Sequence, residues 1–240
     1  MRLFVTGTDT GVGKTVVGGG LAMGFGLLGM RVGVLKPAES GCGEGLEPGD
    51  GAFLLRCAGS AQSLEEVVLY RYALPLAPAV AAVEEGRDPM DPAVVSSTLN
   101  RLEEQTDIVI VEGAGGLLVP MASRFTCGDL AKLLDSPLVV VARPNLGTIN
   151  HTLLTVRVAQ AMGLEVKAVM VNCYDPRRGG PEQKSNPQVM REMLNGVPVY
   201  TVPRFAGLEE LEGNEMMDAL KAYNWKKLAS AVIGGGGVRS

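Results

Sequence analysis

The segment from Val5 to Val16 constrains this chain more than any other, because it joins an apolar strand to a glycine-rich loop that ends in Gly13-Lys14-Thr15. Glycines in such a loop let backbone N–H groups approach phosphate oxygens, the lysine reaches the β and γ phosphates, and the threonine hydroxyl faces Mg²⁺. The strict spacing needs a glycine at position 8, but the glycine is Gly7, so the loop is one residue longer. The segment predicts a site for a nucleoside triphosphate.

Length, charge and cysteine usage favour a single domain that binds small molecules. The chain has 240 residues, of which 20% are charged, and a formal net charge of −4, so no nucleic-acid partner is expected. Four cysteines form no Cys-x-x-Cys pair and have no neighbouring histidine, which argues against a zinc site or a disulfide framework. Neither an apolar run of about 18 residues nor an export signal is found. We therefore expect a cytoplasmic protein without membrane attachment.

Apolar, β-branched runs recur along the chain and alternate with helix-length segments. Most are continuous rather than interrupted by polar residues, which is typical of strands buried on both faces. The runs are Leu3–Thr6, Val32–Leu35, Ile108–Val111, Leu138–Val141, Val166–Val171 and Val197–Val202. The alternation predicts an α/β fold with a mostly parallel β-sheet covered by helices on both faces. We expect one domain over residues 1–233 and a disordered glycine-rich tail over residues 234–240.

Several segments between the predicted strands read as irregular. Residues 41–51 have the composition of a loop, and prolines interrupt residues 73–92. Residues 175–187 predict a mobile surface segment before a helix that begins near Gln188. The first crossover carries six glycines between Gly18 and Gly29, each of which costs a helix about 1 kcal/mol relative to alanine. Close packing is the simplest explanation for them.

Charged residues follow two of the predicted strands. Lys36 comes directly after Val32–Leu35, and Glu112 comes directly after Ile108–Val111. The carboxyl ends of parallel strands share one edge of the sheet, where open α/β proteins bind ligands. Glu112 can hold Mg²⁺ and Lys36 can serve phosphoryl transfer. The plain alternatives are a solvated glutamate in a turn and an ordinary surface lysine.

Other positions leave two interpretations open. Asp50 could cap the helix that starts near Ala52 or bind a metal. Asn172 could pair with a purine edge or simply favour a turn. The segment Pro203-Arg204-Phe205 ends the last apolar run, where a base could rest. His151 is the only histidine, so no histidine-rich metal centre can form within one chain, and a core or capping role is as plausible as a catalytic one.

Four motifs together make the sequence resemble the dethiobiotin synthetases, which are ATP-dependent carboxylases of biotin synthesis. They are Val-Thr-Gly-Thr-Asp-Thr-Gly-Val-Gly-Lys-Thr at 5–15, Lys-Pro-Ala-Glu-Ser-Gly at 36–41, Val-Glu-Gly-Ala-Gly-Gly at 111–116 and Leu-Gly-Thr-Ile-Asn-His-Thr-Leu-Leu-Thr at 146–155. The resemblance implies a P-loop NTPase-like fold. It also implies a reaction in which 7,8-diaminopelargonic acid takes up CO₂ as a carbamate, ATP phosphorylates the carbamate, and the second amine closes a cyclic urea with loss of phosphate.

The resemblance further implies a role for each matched residue. Lys36 and Lys14 would be catalytic, and Mg²⁺ would be held by Thr15, Asp50 and Glu112. Substrate contacts would come from Thr10 and Ser40 and, across the interface of a homodimer, from the segment that contains Thr148 and Asn150. ATP would be bound by Gly11, Val12, Gly13, Lys14, Thr15, Val16, Asp50, Glu112, Gly113, Ala114, Gly115, Asn172, Pro203, Arg204, Phe205 and Glu210.

The chain departs from the family at a few positions. Members commonly show Ser-Pro-His where it has Ala77-Pro78-Ala79, often an Asn-Asp pair where it has Asn172-Cys173, and some show a tyrosine near Asn186. Two other classes also stay open. A partitioning-type nucleotide-switch ATPase would carry a lysine in place of Asp9, and a cobyrinic-acid-type ATP-dependent amidase would need a glutaminase half for which the chain is too short.

Overall fold

A computed structural model describes residues 1–205 and 213–234. The strands are β1 (Arg2–Gly7), β2 (Val32–Ser40), β3 (Val68–Tyr72), β4 (Ile108–Gly116), β5 (Pro120–Ala122), β6 (Phe125–Thr126), β7 (Leu138–Ala142), β8 (Val166–Tyr174) and β9 (Val199–Pro203). The helices are α1 (Lys14–Leu27), α2 (Gly49–Ala58), α3 (Leu64–Val67), α4 (Pro78–Glu84), α5 (Pro92–Gln105), α6 (Cys127–Leu133), α7 (Thr148–Ala161), α8 (Pro181–Met193), α9 (Gly213–Lys221) and α10 (Trp225–Ile233).

In the described part of the chain, a seven-stranded sheet with the order β3-β2-β4-β1-β7-β8-β9 forms the centre. Each neighbouring pair in this sheet is parallel. Apolar side chains cover both faces of the sheet. Phe4 and Val140 pack beneath α5, α6 and α7, while Val5 and Val139 pack beneath α1, α2 and α10. The predicted single α/β domain, with a parallel sheet covered on both faces, is confirmed.

The strands run further than the apolar runs that predicted them. β2 continues past Leu35 through Lys36 to Ser40, and β4 continues through Glu112 to Gly116. The prediction that these two charged residues follow their strands is therefore wrong, since each lies within its strand. The backbone ladder does not depend on side-chain polarity, and Lys36 pairs with Val68 of β3. The two charges also compensate each other.

The structure corrects two predicted loops and adds strands that were not predicted. α2 begins at Gly49, inside the predicted loop 41–51, and α8 begins at Pro181 rather than near Gln188. Proline is favourable at the first position of a helix, and buried Asn186 anchors α8 by donating to the Pro144 carbonyl at 2.9 Å. β3 is an edge strand of mixed polarity, and β5 and β6 form a short antiparallel pair. Residues 73–92 are interrupted as predicted, because α4 and α5 are separate helices.

Some predictions fall outside the described residues. Glu210 lies there, as does the proposed tail except for Gly234, which is the C-cap residue of α10. Within residues 1–205 and 213–234, no helix combines the length and apolar content that a membrane crossing requires.

Close packing explains four of the six glycines as predicted, but not Gly26 and Gly29, where nothing lies within 4 Å of an added Cβ. A Cβ on Gly20 would lie 2.3 Å from the indole ring of Trp225, and a Cβ on Gly24 would lie 2.4 Å from the Trp225 carbonyl oxygen. Trp225 is fully buried, and its indole N–H donates to the Leu220 carbonyl at 2.9 Å. Because α1 begins at the end of the glycine-rich loop, this packing also fixes the position of that loop.

Replacing Gly20 by alanine is expected to lower the free energy of unfolding by about 2–3 kcal/mol, because the added methyl group forces Trp225 or α10 to move. Gly26→Ala is the matched control. Nothing lies within 4 Å of a Cβ there, so alanine should stabilise α1 by about 1 kcal/mol. Urea denaturation measures both changes, and effects of the same sign and size would contradict the packing role of Gly20.

Candidate nucleotide and catalytic site

The glycine-rich loop joins β1 to α1 and requires glycine at two positions. Gly11 and Gly13 have φ angles of 71° and 89°, in a region that other residues rarely adopt. A Cβ on Gly13 would also lie 2.0 Å from the side-chain amide nitrogen of Asn172. α1 begins at Lys14 with no side-chain cap, so its free N–H groups and positive dipole end face the loop. Such an arrangement binds phosphate groups.

Four side chains from different elements meet beside this loop. The Lys36 ammonium lies 2.5 Å from Glu112 Oε1 and 2.8 Å from Asp50 Oδ2. The Thr15 hydroxyl donates to the same Glu112 Oε1 at 2.9 Å. Lys36 and Glu112 are buried, whereas the side chain of Asp50 is half exposed. The structure therefore brings together the predicted catalytic lysine and the three predicted metal ligands.

Burial and ion pairing set the charges of this cluster. Burial by itself would lower the pKa of Lys36, but the carboxylates of Glu112 and Asp50 outweigh it and hold the pKa above its ordinary value. Burial raises the pKa of Glu112 against the attraction of Lys36. Burial would also raise the pKa of Asp50, but the charges of Lys36 and Lys14 and the hydrogen bonds from Lys36 and Thr15 together outweigh burial and lower it. Lys36 is therefore a permanent cation at neutral pH.

Lys14 supplies a second cation under the loop. Its side chain is buried, and its ammonium donates to the Asp9 carbonyl across 3.4 Å. Burial lowers the pKa of Lys14, and the negative charge of Glu112 offsets only part of that shift. A hydrogen bond of this length holds the ammonium weakly. Lys14 can therefore turn to a phosphate oxygen at little cost.

The donor set beside the loop fits Mg²⁺. Glu112 Oε2 is buried and has no hydrogen-bond partner among the described residues. Thr15 gives its proton to Glu112 Oε1, so its oxygen lone pairs stay available. In residues 1–205 and 213–234, no group of three or more His, Cys, Asp or Glu side chains could hold a metal. Mg²⁺ would therefore need phosphate oxygens and waters as further ligands, which is its usual habit in nucleotide sites.

The predicted substrate residues lie near the carboxyl ends of the strands. A Cβ on Gly115 would lie 3.2 Å from the Thr10 hydroxyl, which places Thr10 against the end of β4. Ser40 ends β2. Thr148 begins α7 and is buried, with no partner for its hydroxyl among the described residues, while Asn150, two residues later, is exposed. His151 is also exposed, so the suggestion of a core role for it is wrong.

The predicted adenine residues are spread around the ends of β8 and β9. Asn172 is buried, and its amide nitrogen donates one proton to the Val12 carbonyl at 3.0 Å, so its oxygen and a second amide proton remain for a base. Phe205 stacks on Trp225 with ring centroids 6.1 Å apart. Pro203 ends β9, and Arg204 after it is exposed.

Three residues of the site region were not predicted from the sequence. Arg143 pairs with the carboxylate of Asp9 at 2.8 Å, and both side chains are about half exposed. Arg143 directly follows the apolar run of β7, so the strand-end rule that identified Glu112 could have found it. Glu39 is buried and accepts hydrogen bonds from the backbone of α2. No local pattern indicates that contact, because it joins two separate elements.

Replacing Lys36 by methionine is expected to lower the free energy of unfolding by about 3–5 kcal/mol, because Glu112 and Asp50 lose their counter-charge. The double variant Lys36→Met/Glu112→Gln should regain most of this loss, since the amide is uncharged. Arg143→Met is the control, because an exposed pair contributes under about 1 kcal/mol. Urea unfolding followed by circular dichroism gives each value, and additive effects in the double variant would rule out the coupling.

Comparison with known proteins identifies the sequence family. A family model described as an AAA domain matches residues 1–213. The ATP-dependent dethiobiotin synthetase BioD of Aquifex aeolicus (strain VF5) is 41% identical over 209 residues, which are 87% of this chain and 91% of that protein. The protein of the same name from Anaeromyxobacter dehalogenans (strain 2CP-C) is 46% identical over 180 residues, which are 75% of this chain and 78% of that protein. The protein from Bacillus subtilis (strain 168) is 39% identical over 206 residues, which are 85% of this chain and 88% of that protein.

Solved structures with similar folds are more distant in sequence. The MinC:MinD cell division protein complex of Aquifex aeolicus gives a TM-score of 0.59 at 14% identity, covering 100% of this chain and 98% of that chain. A putative plasmid partition protein from Borrelia burgdorferi B31 gives a TM-score of 0.57 at 11% identity, covering 97% of this chain and 96% of that chain. At such identities the likeness concerns the fold alone. The sequence relatives decide the family: this chain belongs to the ATP-dependent dethiobiotin synthetases.

Proposed function

We propose that this protein is a dethiobiotin synthetase that uses ATP, CO₂ or bicarbonate, and 7,8-diaminopelargonic acid in biotin biosynthesis. The observation that carries the proposal is the convergence of Lys36, Glu112 and Asp50 beside the glycine-rich loop, with Lys14 at its base. This cluster supplies two cations, oxygen ligands for Mg²⁺ and free backbone amides. Such a set suits transfer of a phosphoryl group.

The proposed reaction has three steps. One amine of the diamine attacks the carbon of CO₂ and loses a proton, which gives a carbamate. A carbamate oxygen then takes the γ-phosphoryl group of ATP and releases ADP. The second amine attacks the carbonyl carbon, loses a proton and expels phosphate, which closes the cyclic urea of dethiobiotin.

The residues of the site contribute charge and position rather than a nucleophile. Lys36 and Lys14 neutralise negative charge on the carbamate and on the transferring phosphoryl group, and the loop amides hold the β and γ phosphates. Mg²⁺, held by Thr15, Asp50 and Glu112, supplies further neutralisation of the phosphates when bound. Burial raises the pKa of the nearby Cys127 thiol to about 11, so that thiol is a poor nucleophile at neutral pH.

The contacts to adenine and to the reacting end of the diamine are part of the same proposal. Asn172, Pro203, Arg204 and Phe205 are assigned to the adenine site, and Glu210, outside the described residues, is assigned to it from the family resemblance alone. Val16, Gly113, Ala114 and Gly115 complete the phosphate site, and Thr10 and Ser40 face the reacting end of the diamine. The position of Gly115 against Thr10 supports a shared boundary between the phosphate and diamine sites.

A homodimer completes the substrate site in this proposal. Thr148 and Asn150 would contact the carboxylate of the diamine across the subunit interface. The unpartnered buried hydroxyl of Thr148 supports a polar ligand at this point. A cytoplasmic location remains a prediction from the sequence.

Purified protein with 7,8-diaminopelargonic acid, bicarbonate, ATP and Mg²⁺ is expected to form a product with the mass of the diamine plus CO₂ minus water, together with ADP. Mass spectrometry identifies the product, and reactions that lack one component are the controls. ATP hydrolysis that proceeds equally without the diamine would favour a nucleotide-switch ATPase. Conversion of a carboxylate to an amide would favour an amidase. Either outcome would overturn the proposed function.

Lys36→Ala is expected to lower kcat about 10²–10³-fold, with a much smaller change in the dissociation constant for ATP, because Lys36 acts on charge in the transition state. Steady-state kinetics and equilibrium nucleotide binding separate the two effects, with rates referred to the folded fraction seen by circular dichroism. Lys132→Ala, which changes an exposed residue in the last turn of α6, is the control and should leave both constants unchanged. Equal losses of rate and affinity in Lys36→Ala would contradict its catalytic role.

A further inference from the structure

Glu39 is a buried carboxylate that the proposed reaction does not use. It lies in β2, three residues after Lys36, and is 6% exposed. Its two oxygens accept hydrogen bonds from the backbone N–H groups of Asp50 and Gly51, each at 2.9 Å. These amides belong to the first turn of α2, whose N-cap residue, Pro48, offers no side-chain cap. A side chain from a neighbouring strand therefore caps this helix.

This contact sets the position of Asp50 relative to Lys36. The backbone of Asp50 is bound by Glu39, while its side chain contacts the Lys36 ammonium at 2.8 Å. Both partners belong to one strand. α2 also lies very close to the sheet, since a Cβ on Gly51 would lie 2.1 Å from a methyl group of Val68. The glycine-rich residues 41–48 before α2 are mostly exposed and could not fix the helix by themselves.

Capping α2 with the buried carboxylate of Glu39 costs more free energy than a local side-chain cap would. A serine or aspartate at position 48 could accept a hydrogen bond from one of the same amides from within the local chain. Burial raises the pKa of Glu39, and the like charge of Asp50 adds to this shift. The helix dipole and two charge-assisted hydrogen bonds offset the unfavourable terms. Unlike a local cap, however, Glu39 locks α2 to the strand that carries Lys36.

We propose that Glu39 is a positioning residue that holds Asp50 where its carboxylate contacts Lys36 and faces the Mg²⁺ of a bound nucleotide. The inference rests on one part of the proposed function, the assignment of Asp50 to the metal. It does not depend on the diamine or on the ring closure. Nucleotide binding can therefore test it apart from catalysis.

The measurement is the dissociation constant of ADP, by calorimetry, with Mg²⁺ and with EDTA. The value in EDTA divided by the value in Mg²⁺, here called the Mg²⁺ ratio, reports how strongly the metal supports nucleotide binding. Glu39→Gln is expected to reduce the ratio by about 10-fold or more, as for other residues that orient a metal ligand. ADP binding in EDTA should change little, because Lys14 and the loop amides are untouched. Asp50→Asn should reduce the same ratio, and the double variant should lose no more than Asp50→Asn alone.

Glu85→Gln is the matched control, because it also removes the charge of a carboxylate that binds two consecutive backbone amides. Glu85 also accepts hydrogen bonds from two consecutive amides, those of Ala73 at 3.0 Å and Leu74 at 2.8 Å, but these lie in the turn after β3. This variant should lose thermal stability and keep the wild-type Mg²⁺ ratio. If Glu39→Gln does not fold, Glu39→Asp, which keeps the charge with a shorter reach, should give an intermediate ratio.

Two results would overturn the inference, and they differ from each other. A wild-type Mg²⁺ ratio in Glu39→Gln or Glu39→Asp would show that Glu39 only stabilises α2, and the metal assignment would stand. Wild-type protein that binds ADP equally with Mg²⁺ and EDTA would overturn the metal assignment together with the inference. Failure to form the cyclic urea would instead count against the proposed function alone.

Discussion

The ion pair between Lys36 and Glu112 is the interaction on which the site depends. It lies inside the domain between the neighbouring strands β2 and β4, with 2.5 Å between the ammonium nitrogen and the carboxylate oxygen. Removing either charge alone would leave the other unpaired in a buried position, which is strongly unfavourable. Asp50 completes the compensation from the more exposed side. A cation and two carboxylates can therefore be kept charged where water is largely excluded.

The order of the strands explains why these groups meet at the loop. β2, β4 and β1 are adjacent in the sheet, so Lys36, Glu112 and the start of the glycine-rich loop lie on three neighbouring strands. Gly20 packs α1 closely against Trp225. Because α1 begins at the end of the glycine-rich loop, this contact also fixes the position of the loop. A cavity of about 350 Å³ lined by Arg31 and Arg101 lies near the amino ends of the strands. Lys36, Asp50 and Glu112 do not line this cavity.

Much of the fold could be predicted because its signals are local. Continuous apolar runs identify the central strands, and the loop that ends in Gly13-Lys14-Thr15 identifies the nucleotide element. The errors arise where tertiary contacts decide. Lys36 and Glu112 stay within their strands because they neutralise each other, and α8 begins early because Asn186 is anchored to the preceding loop. An edge strand of mixed polarity such as β3 has no periodic pattern to reveal it.

The sequence by itself determined the fold class, the phosphate-binding loop and the identity of the charged residues, because these depend on residue type and spacing along the chain. Only the tertiary structure decided which carboxylates contact Lys36 and how Asp50 is held. Asp50 is neither a helix cap nor a loop residue, since Glu39 of another element caps α2 and turns the Asp50 side chain to Lys36. Such contacts join residues far apart in the chain, so they follow from how strands and helices pack rather than from any local pattern.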